Sequence, residues 1–228
     1  MPLEIEAFLD AERVAQFRLA LREAHWIDGA ATAGHLSRQA KHNRQLPETH
    51  PVAVRLGNSI LDLIERHPLF MSYALPRQIV PPLFNAYRGG EEYGPHIDGA
   101  IRPVAGHSLR IRTDISATLF LSSPHEYDGG ELVIADPDAA ASRSYKLAAG
   151  TLLLYSSGSV HHVTPVTRGE RLASFFWIQS MVRSNDHRNM LFTLDRTVQR
   201  LHQVAPADPS LVDLTGLYHN LLRLWADI

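Results

Sequence analysis

The stretch AAGTLLLYSSGSVHHVTPVTRGERLASFFWIQSMVR, residues 148–183, holds three short apolar runs separated by turn residues. Residues 151–155, 160–163 and 171–179 are rich in valine, leucine, isoleucine and aromatics. Runs this short, bounded by glycine, proline and serine, read as β-strands, because an ordinary helix needs about ten residues or more. Ala149-Gly150 precedes the first run, and 164–169 reads as a turn before the last. The same rhythm extends toward the N-terminus through 77–87, 93–97, 112–121, 131–135 and 144–147. Its breaks are Arg88-Gly89-Gly90, Asp128-Gly129-Gly130 and Asp136-Pro137-Asp138. About eight short strands at this spacing predict a mainly β core with flanking helices, an α+β chain built on a two-sheet jelly roll or related barrel.

Helical periodicity flanks the strands. Val14, Phe17, Leu21 and Ala24 recur at helical spacing behind Asp10, a capping residue, and predict a helix over 10–24. A second helix is predicted over 52–66, with Leu56, Ile60, Leu63 and Ile64 on one face and His67-Pro68 as its stop. Leu191, Leu194, Val198 and Leu201 mark a third. Asp208-Pro209 caps a last one carrying Leu211, Leu214, Leu217, Leu221 and Leu224. The expected organisation is a helical supporting segment over 1–72, a jelly-roll domain over 73–182 and a helical extension over 183–228. The C-terminal leucines call for a partner surface, either the sheet or a second subunit, so a homodimer contact through these helices is an expectation.

The bulk numbers narrow the function. A chain of 228 residues with 45% hydrophobic and 20% charged residues is long and apolar enough for a real core. A net charge of -2 without a basic run argues against a nucleic-acid partner. No apolar run approaches the roughly 20 residues of a membrane span. The acidic Met-Pro-Leu-Glu-Ile-Glu start lacks a secretory pattern, so a cytoplasmic protein is expected. With no cysteine, disulfides, zinc thiolates, iron–sulfur clusters and cysteine nucleophiles are excluded. Any metal must be held by His, Asp, Glu or backbone.

The triplet His96-Ile97-Asp98 offers two such ligands. By itself it is weak, since chance supplies about 0.7 His-x-Asp triplets in a chain of this composition. In an extended segment, however, residues i and i+2 share a face, so His96 and Asp98 can address one ion while Ile97 turns into the core. A third ligand is expected from 159–179, where His161 and His162 are adjacent and point to opposite faces, so that only one binds. Two imidazoles and a carboxylate leave open positions that suit Fe(II) binding an oxidant and a substrate. Arg171 opens the most apolar strand and needs an anion, for which a planar guanidinium fork matches a carboxylate. Either an internal acidic partner or an organic acid would serve. Beside an iron site, 2-oxoglutarate fits, with one end that chelates metal and another that takes an arginine.

These residues carry a resemblance. FNAYRGGEEYGPHIDGAIR, RTDISATLFLSSPHEYDGGELVI, WIDGAATAGHLSRQAKHNRQL and the opening stretch together resemble the Fe(II)/2-oxoglutarate dioxygenases of the prolyl-hydroxylase type, and closely the bacterial PKHD-type hydroxylases. The likeness runs from about residue 25 to 195, and its His-x-Asp followed by His-x-Val-x-Pro-Val-x-x-Gly-x-Arg is a specific combination. It implies a double-stranded β-helix, with His96, Asp98 and His161 as iron ligands and Arg171 on the far carboxylate of 2-oxoglutarate. His161, not His162, stands at the matching position. It also implies Fe(II), 2-oxoglutarate and O₂, with L-ascorbate as a further candidate. The reaction implied couples oxidative decarboxylation of 2-oxoglutarate to hydroxylation of a peptidyl or free amino acid, or of another small metabolite.

Further candidates are positional. Tyr87 is expected at the cosubstrate, and Tyr93, Arg102 and Arg110 at the substrate. Asn85 and Thr118 are pocket candidates, while Trp177 is expected in the core. The basic segment 99–112, with Arg102, His107, Arg110 and Arg112, reads either as a lid or as a solvated connection. His35, Lys41, His42 and Arg44 form a polar cluster without an assigned role. Two other readings compete with a hydroxylase: a cupin-like metal enzyme that is not an oxygenase, which leaves Arg171 without a role, and an iron- and 2-oxoglutarate-binding sensor on the same scaffold.

Overall fold

The computed structural model describes residues 2–32, 40–104, 108–135 and 141–228. From the N-terminus come β1 (Leu3–Ile5), α1 (Ala11–Arg22), β2 (Ile27–Asp28), β3 (Lys41–His42) and β4 (Arg44–Gln45). Helices α2 (Pro51–Glu65) and α3 (Pro68–Ala74) follow. Then come β5 (Pro76–Ile79), β6 (Leu83–Arg88), β7 (Glu92–His96), β8 (Ile101–Pro103), β9 (Arg110–Arg112) and β10 (Ile115–Phe120). The strands finish with β11 (Tyr127–Gly129), β12 (Leu132–Ala135), β13 (Ser142–Tyr145), β14 (Leu152–Ser156), β15 (His161–Val163) and β16 (Val166–Ser180). Helices α4 (Asn185–Val204) and α5 (Ser210–Trp225) close the chain.

Two antiparallel sheets face each other. The larger runs β1-β14-β10-β16-β6-β4-β2, with β11 and β5 also paired to β16, and the smaller runs β13-β12-β15-β7-β3. The predicted mainly β, jelly-roll architecture with helices at its ends is the one observed. Strand alternation sorts the side chains of the larger sheet between two cores. On β10, Ile115, Ala117 and Leu119 join Phe176 and Ile178 of β16 under α1, α2 and α3, against Phe17, Leu21, Ile60 and Ile64. The intervening Phe120, with Tyr87, Leu153 and Tyr155, faces Leu132, Ile134 and Val163 of the smaller sheet. Each such fully buried apolar side chain contributes roughly 1.5–3 kcal/mol, so a one-residue register slip, which exchanges the faces, is strongly disfavoured.

Several boundaries differ from expectation for physical reasons. The predicted strand over 77–87 is split into β5 and β6, because Pro81 and Pro82 lack the N–H that a ladder needs. His67-Pro68 ends α2 as expected but also starts α3, where His67 Nδ1 accepts from Phe70 N and Pro68 takes the first turn. The anticipated turn over 164–169 lies largely inside β16, with Gly169 at φ +73 opposite β11. The N-terminal stretch is more than helical support. β1 pairs with β14, β4 with β6, and β3 with β7, so 1–72 supplies strands to both sheets. The break at 136–138 falls outside the described residues. At the other end, α4 and α5 pack as a hairpin, with Leu191 of α4 and Leu221, Leu222 and Trp225 of α5 clustered with Leu75 and Val182, and Tyr73 meets Phe192 edge-on at 5.3 Å.

Candidate metal centre

Pairing register assembles the site. β15 runs beside β7 with His161 directly opposite His96, and their ring centroids are 4.2 Å apart. Asp98 follows two residues after β7 ends, and its Oδ2 lies 3.7 Å from His161 Nε2. One ligand atom from each of His96, Asp98 and His161 falls within 4.8 Å of the others. Asp98 reaches this position from irregular backbone, not from a strand, and Ile97 is 53% exposed instead of turning into the core. The chain leaves the ladder at His96, so strict alternation no longer governs Ile97. His162 lies on the opposite face of β15, between the buried His161 and Val163.

The tautomers of both histidines are set by the backbone. His96 Nδ1 lies 2.8 Å from the Gly94 carbonyl and His161 Nδ1 lies 3.0 Å from that of Ser159. A carbonyl only accepts, so each Nδ1 carries the proton and each Nε2 keeps a lone pair for a metal. Burial, and next the neighbouring His161, lower the His96 pKa to about 4, so its imidazole stays neutral over the physiological range. Tyr93 stacks on His96 at 3.6 Å and 17°, and Tyr155 meets His161 edge-on at 5.1 Å. Tyr93 thus supports a ligand ring as well as lining the cavity. A 2-His-1-carboxylate set with neutral nitrogens and open positions fits Fe(II).

Below the triad lies a cavity of about 50 Å³, and the inward faces of three strands order its wall. On β16 the inward-facing lining residues are Arg171, Phe175 and Trp177, with Ala173 on the same face, and they span about 20 Å at 3.3 Å per residue. Arg171 is flanked in register by Tyr87 of β6, and Ala173 by Asn85 of β6 and Phe120 of β10; Phe175 faces Thr118 and Trp177 faces Ser116. Arg171 sits at the deep end, 2% exposed, with its guanidinium carbon 5.4 Å from the ring centroids of both Tyr87 and Phe120. Among the described residues no carboxylate pairs with it, and its buried Nε has no hydrogen-bond partner. The buried Asn85 Oδ1 on the same wall is also unpartnered. A buried cation and a buried acceptor left unsatisfied are costly unless a ligand completes them. Burial raises the Tyr87 pKa to about 12, with Arg171 opposing the rise, so its hydroxyl remains a donor.

The double glycine of Asp128-Gly129-Gly130 gains a specific role. Gly130 has φ +67, and a Cβ there would sit 2.8 Å from Val166 Cγ2 and 3.1 Å from Arg171 Cδ. The turn packs against the arginine stem with no room for a side chain.

Other candidates scatter. Asn85, Thr118 and Trp177 line the cavity, and Trp177 also belongs to a core cluster with Val80, Leu83 and Ile111. Arg102, on β8, stacks over Trp177 at 4.3 Å and donates to Glu48 at 2.8 Å, beside the mouth. Arg110 is exposed on β9 and is absent from the cavity lining, so it is not brought to the site. Arg112 is bound to Asp114 and has a structural place. The basic segment forms the β8–β9 hairpin, and His107 lies outside the described residues. Of the polar cluster, His35 also lies outside them, and Arg44 pairs with Glu170. Lys41 is buried near the triad, 5.7 Å from the Tyr93 centroid and 5.8 Å from that of Phe175. Burial and then Arg102 lower its pKa to about 8. Sequence reading missed its place because the two-residue β3 gives too little pattern to assign a face.

The jelly roll and its triad define a class, the 2OG-Fe(II) oxygenase superfamily, whose family model matches residues 82–179. Residues 186–227 match the model described as the PKHD-type hydroxylase C-terminal domain. PKHD-type hydroxylases of Bordetella pertussis and Burkholderia lata are 52% and 55% identical over 228 residues, and the one named PiuC of Pseudomonas aeruginosa is 53% identical, each covering 100% of both chains. The chain belongs to the PKHD-type hydroxylases and is a 2-oxoglutarate-dependent dioxygenase. Solved structures share the fold. A Pseudomonas putida prolyl-4-hydroxylase superposes with TM-score 0.53 at 22% identity, covering 78% of this chain and 92% of that one. A Trichoplax adhaerens prolyl hydroxylase, in complex with a hypoxia inducible factor peptide fragment, gives 0.54 at 19%, covering 83% and 86%. No helix among the described residues is long and apolar enough to cross a membrane.

Proposed function

We propose that His96, Asp98 and His161 hold Fe(II), and that Arg171 with Tyr87 takes the far carboxylate of 2-oxoglutarate. The observation that carries this reading is the buried Arg171 at the deep end of the same cavity as the triad, which pairs with no carboxylate among the described residues and whose Nε has no hydrogen-bond partner. The iron supplies O₂ activation linked to decarboxylation of the cosubstrate. The protein's residues orient the partners and exclude water. Arg171 and the Tyr87 hydroxyl fix one end of the cosubstrate, and the two Nδ1-protonated imidazoles keep their lone pairs on the metal.

The hydroxylated substrate enters at the Phe175–Trp177 end, between Tyr93, Lys41 and Arg102, and is a peptidyl or free amino acid or another small metabolite. Lys41, a cation over the Tyr93 face, supports a substrate bearing an anionic group, whereas Arg102 over Trp177 is already paired with Glu48. L-ascorbate, as a reductant, would be a further small-molecule partner in the same reading. A cytoplasmic setting, where ferrous iron and 2-oxoglutarate are at hand, belongs to the same reading. Leu217 and Leu224, exposed on one stripe of α5, support a homodimer contact, and the mass in solution tests it.

Incubating the purified protein anaerobically with Fe(II) and 2-oxoglutarate is expected to give a weak visible charge-transfer band. Admitting O₂ is then expected to yield succinate. Neither band nor succinate from protein shown to be folded would refute the reading. A band without turnover in the presence of a broad substrate panel would favour the sensor.

A further inference from the structure

Asp98 is the ligand with the least backbone support, because it lies beyond the last residue of β7. Its side chain is held instead by a chain of two hydroxyls. Ser116 Oγ, on the inward face of β10, lies 2.5 Å from Asp98 Oδ2, and Ser157 Oγ lies 2.7 Å from Ser116 Oγ. Both serines are 2% exposed. The direction of the chain follows from proton count. A carboxylate only accepts, so the single Ser116 proton goes to Asp98, and Ser157 must donate to Ser116. Each hydroxyl thereby polarises the next, and the last bond is charge-assisted.

We infer that Ser116 and Ser157 are positioning residues that fix the Asp98 carboxylate for metal binding, with Ser157 acting through Ser116. This rests on the iron reading above. A carboxylate oxygen held by a hydroxyl has a fixed rotamer, so Asp98 Oδ2 stays aimed at the triad, 3.7 Å from His161 Nε2. A ligand fixed in this way need not be ordered when the metal binds. Both serines come from the larger sheet, Ser116 within β10 and Ser157 just after β14, whereas the histidines come from the smaller one. The relay therefore also ties the two sheets together at the metal.

The probe is Co(II), which is redox-stable and gives visible d–d bands. Ser116→Ala is expected to weaken Co(II) binding by about 10–100-fold and to change the band shape. Ser157→Ala should have a smaller effect in the same direction, and none when added to Ser116→Ala, since its partner is already gone. Ser116→Thr, which keeps the hydroxyl, should recover most of the affinity. Thermal unfolding of the metal-free variants separates this effect from misfolding. If Ser116→Ala does not fold, loosened and spectrally altered Co(II) binding by Ser157→Ala carries the test. Wild-type affinity in Ser116→Ala, or an undiminished Ser157→Ala effect in the Ser116→Ala background, overturns the relay. Failure of the wild type itself to bind Co(II) would instead overturn the metal reading, and the relay with it.

Discussion

Replacing Arg171 by methionine tests the cosubstrate pocket from both directions. Arg171 is 2% exposed, its guanidinium lies between two aromatic rings at 5.4 Å, and it pairs with no carboxylate among the described residues. Two cation–π contacts return about 0.5–2 kcal/mol each. The penalty for an unpaired buried charge is several kcal/mol, so without cosubstrate the arginine is a net liability. A methionine of similar length removes the charge and keeps much of the packing. Ligand-free Arg171→Met should therefore be as stable as wild type or more so, by about 1–3 kcal/mol, or several degrees in Tm for a chain of this size. With cosubstrate the order reverses. Wild type should gain about 2.7 kcal/mol at a 2-oxoglutarate concentration 100 times its Kd. Losing the carboxylate's buried partner costs about 3–5 kcal/mol, so the variant's Kd should rise by roughly two to three and a half orders of magnitude. Thermal unfolding with redox-inert Mn(II), with and without 2-oxoglutarate, reads both effects. The anaerobic charge-transfer titration reads the second independently. A ligand-free variant clearly less stable than wild type, or one that 2-oxoglutarate stabilises as strongly, would refute the reasoning.

Three further outcomes are expected. His161→Ala should abolish the charge-transfer band while His162→Ala keeps it, because His162 points away from the triad; the reverse pattern would move the ligand by one residue. Proton competition for His96 should set in near its lowered pKa of about 4, not near the ordinary 6.5. In the metal-free protein the same depressed value favours folding above about pH 6.5, and that contribution is lost as pH falls toward 4. Metal titrations and thermal melts across pH 4 to 7 measure both, and a midpoint near 6.5 would contradict the burial argument. Gly130→Ala should lower Tm and raise the 2-oxoglutarate requirement together, since a Cβ at φ +67 presses on Val166 and the Arg171 stem. A Tm loss with unchanged cosubstrate affinity would separate the turn from the pocket.

Much of the site was legible in the residues. Short apolar runs between turn residues predicted the β core, and His96, Asp98, one of His161 and His162, and Arg171 stood out as candidates, with His161 and the chemistry implied by the family resemblance. What misled was local alternation applied past the end of a strand. Ile97 was expected inside and is exposed, since β7 stops at His96. Thr118 is a pocket candidate whose facing alternation alone does not settle, and Ser116, two residues earlier on the same strand face, lines the same cavity. Arg110 and Arg102 look alike in sequence, yet Arg102 meets Trp177 and Glu48 while Arg110 faces solvent.

The sequence by itself determined the strand-rich class, the ligand types and the need for an anion at Arg171, because periodicity, donor chemistry and the cost of burying charge are local properties. Only the tertiary structure decided that His161 sits opposite His96, that Arg171 pairs with no carboxylate among the described residues, that Lys41 comes over Tyr93, and that Ser157 backs Ser116 behind Asp98. Those facts depend on which strands are neighbours and in which register. Pairings between residues 40 to 65 positions apart are set by global packing, not by any stretch that the chain's own periodicity can encode.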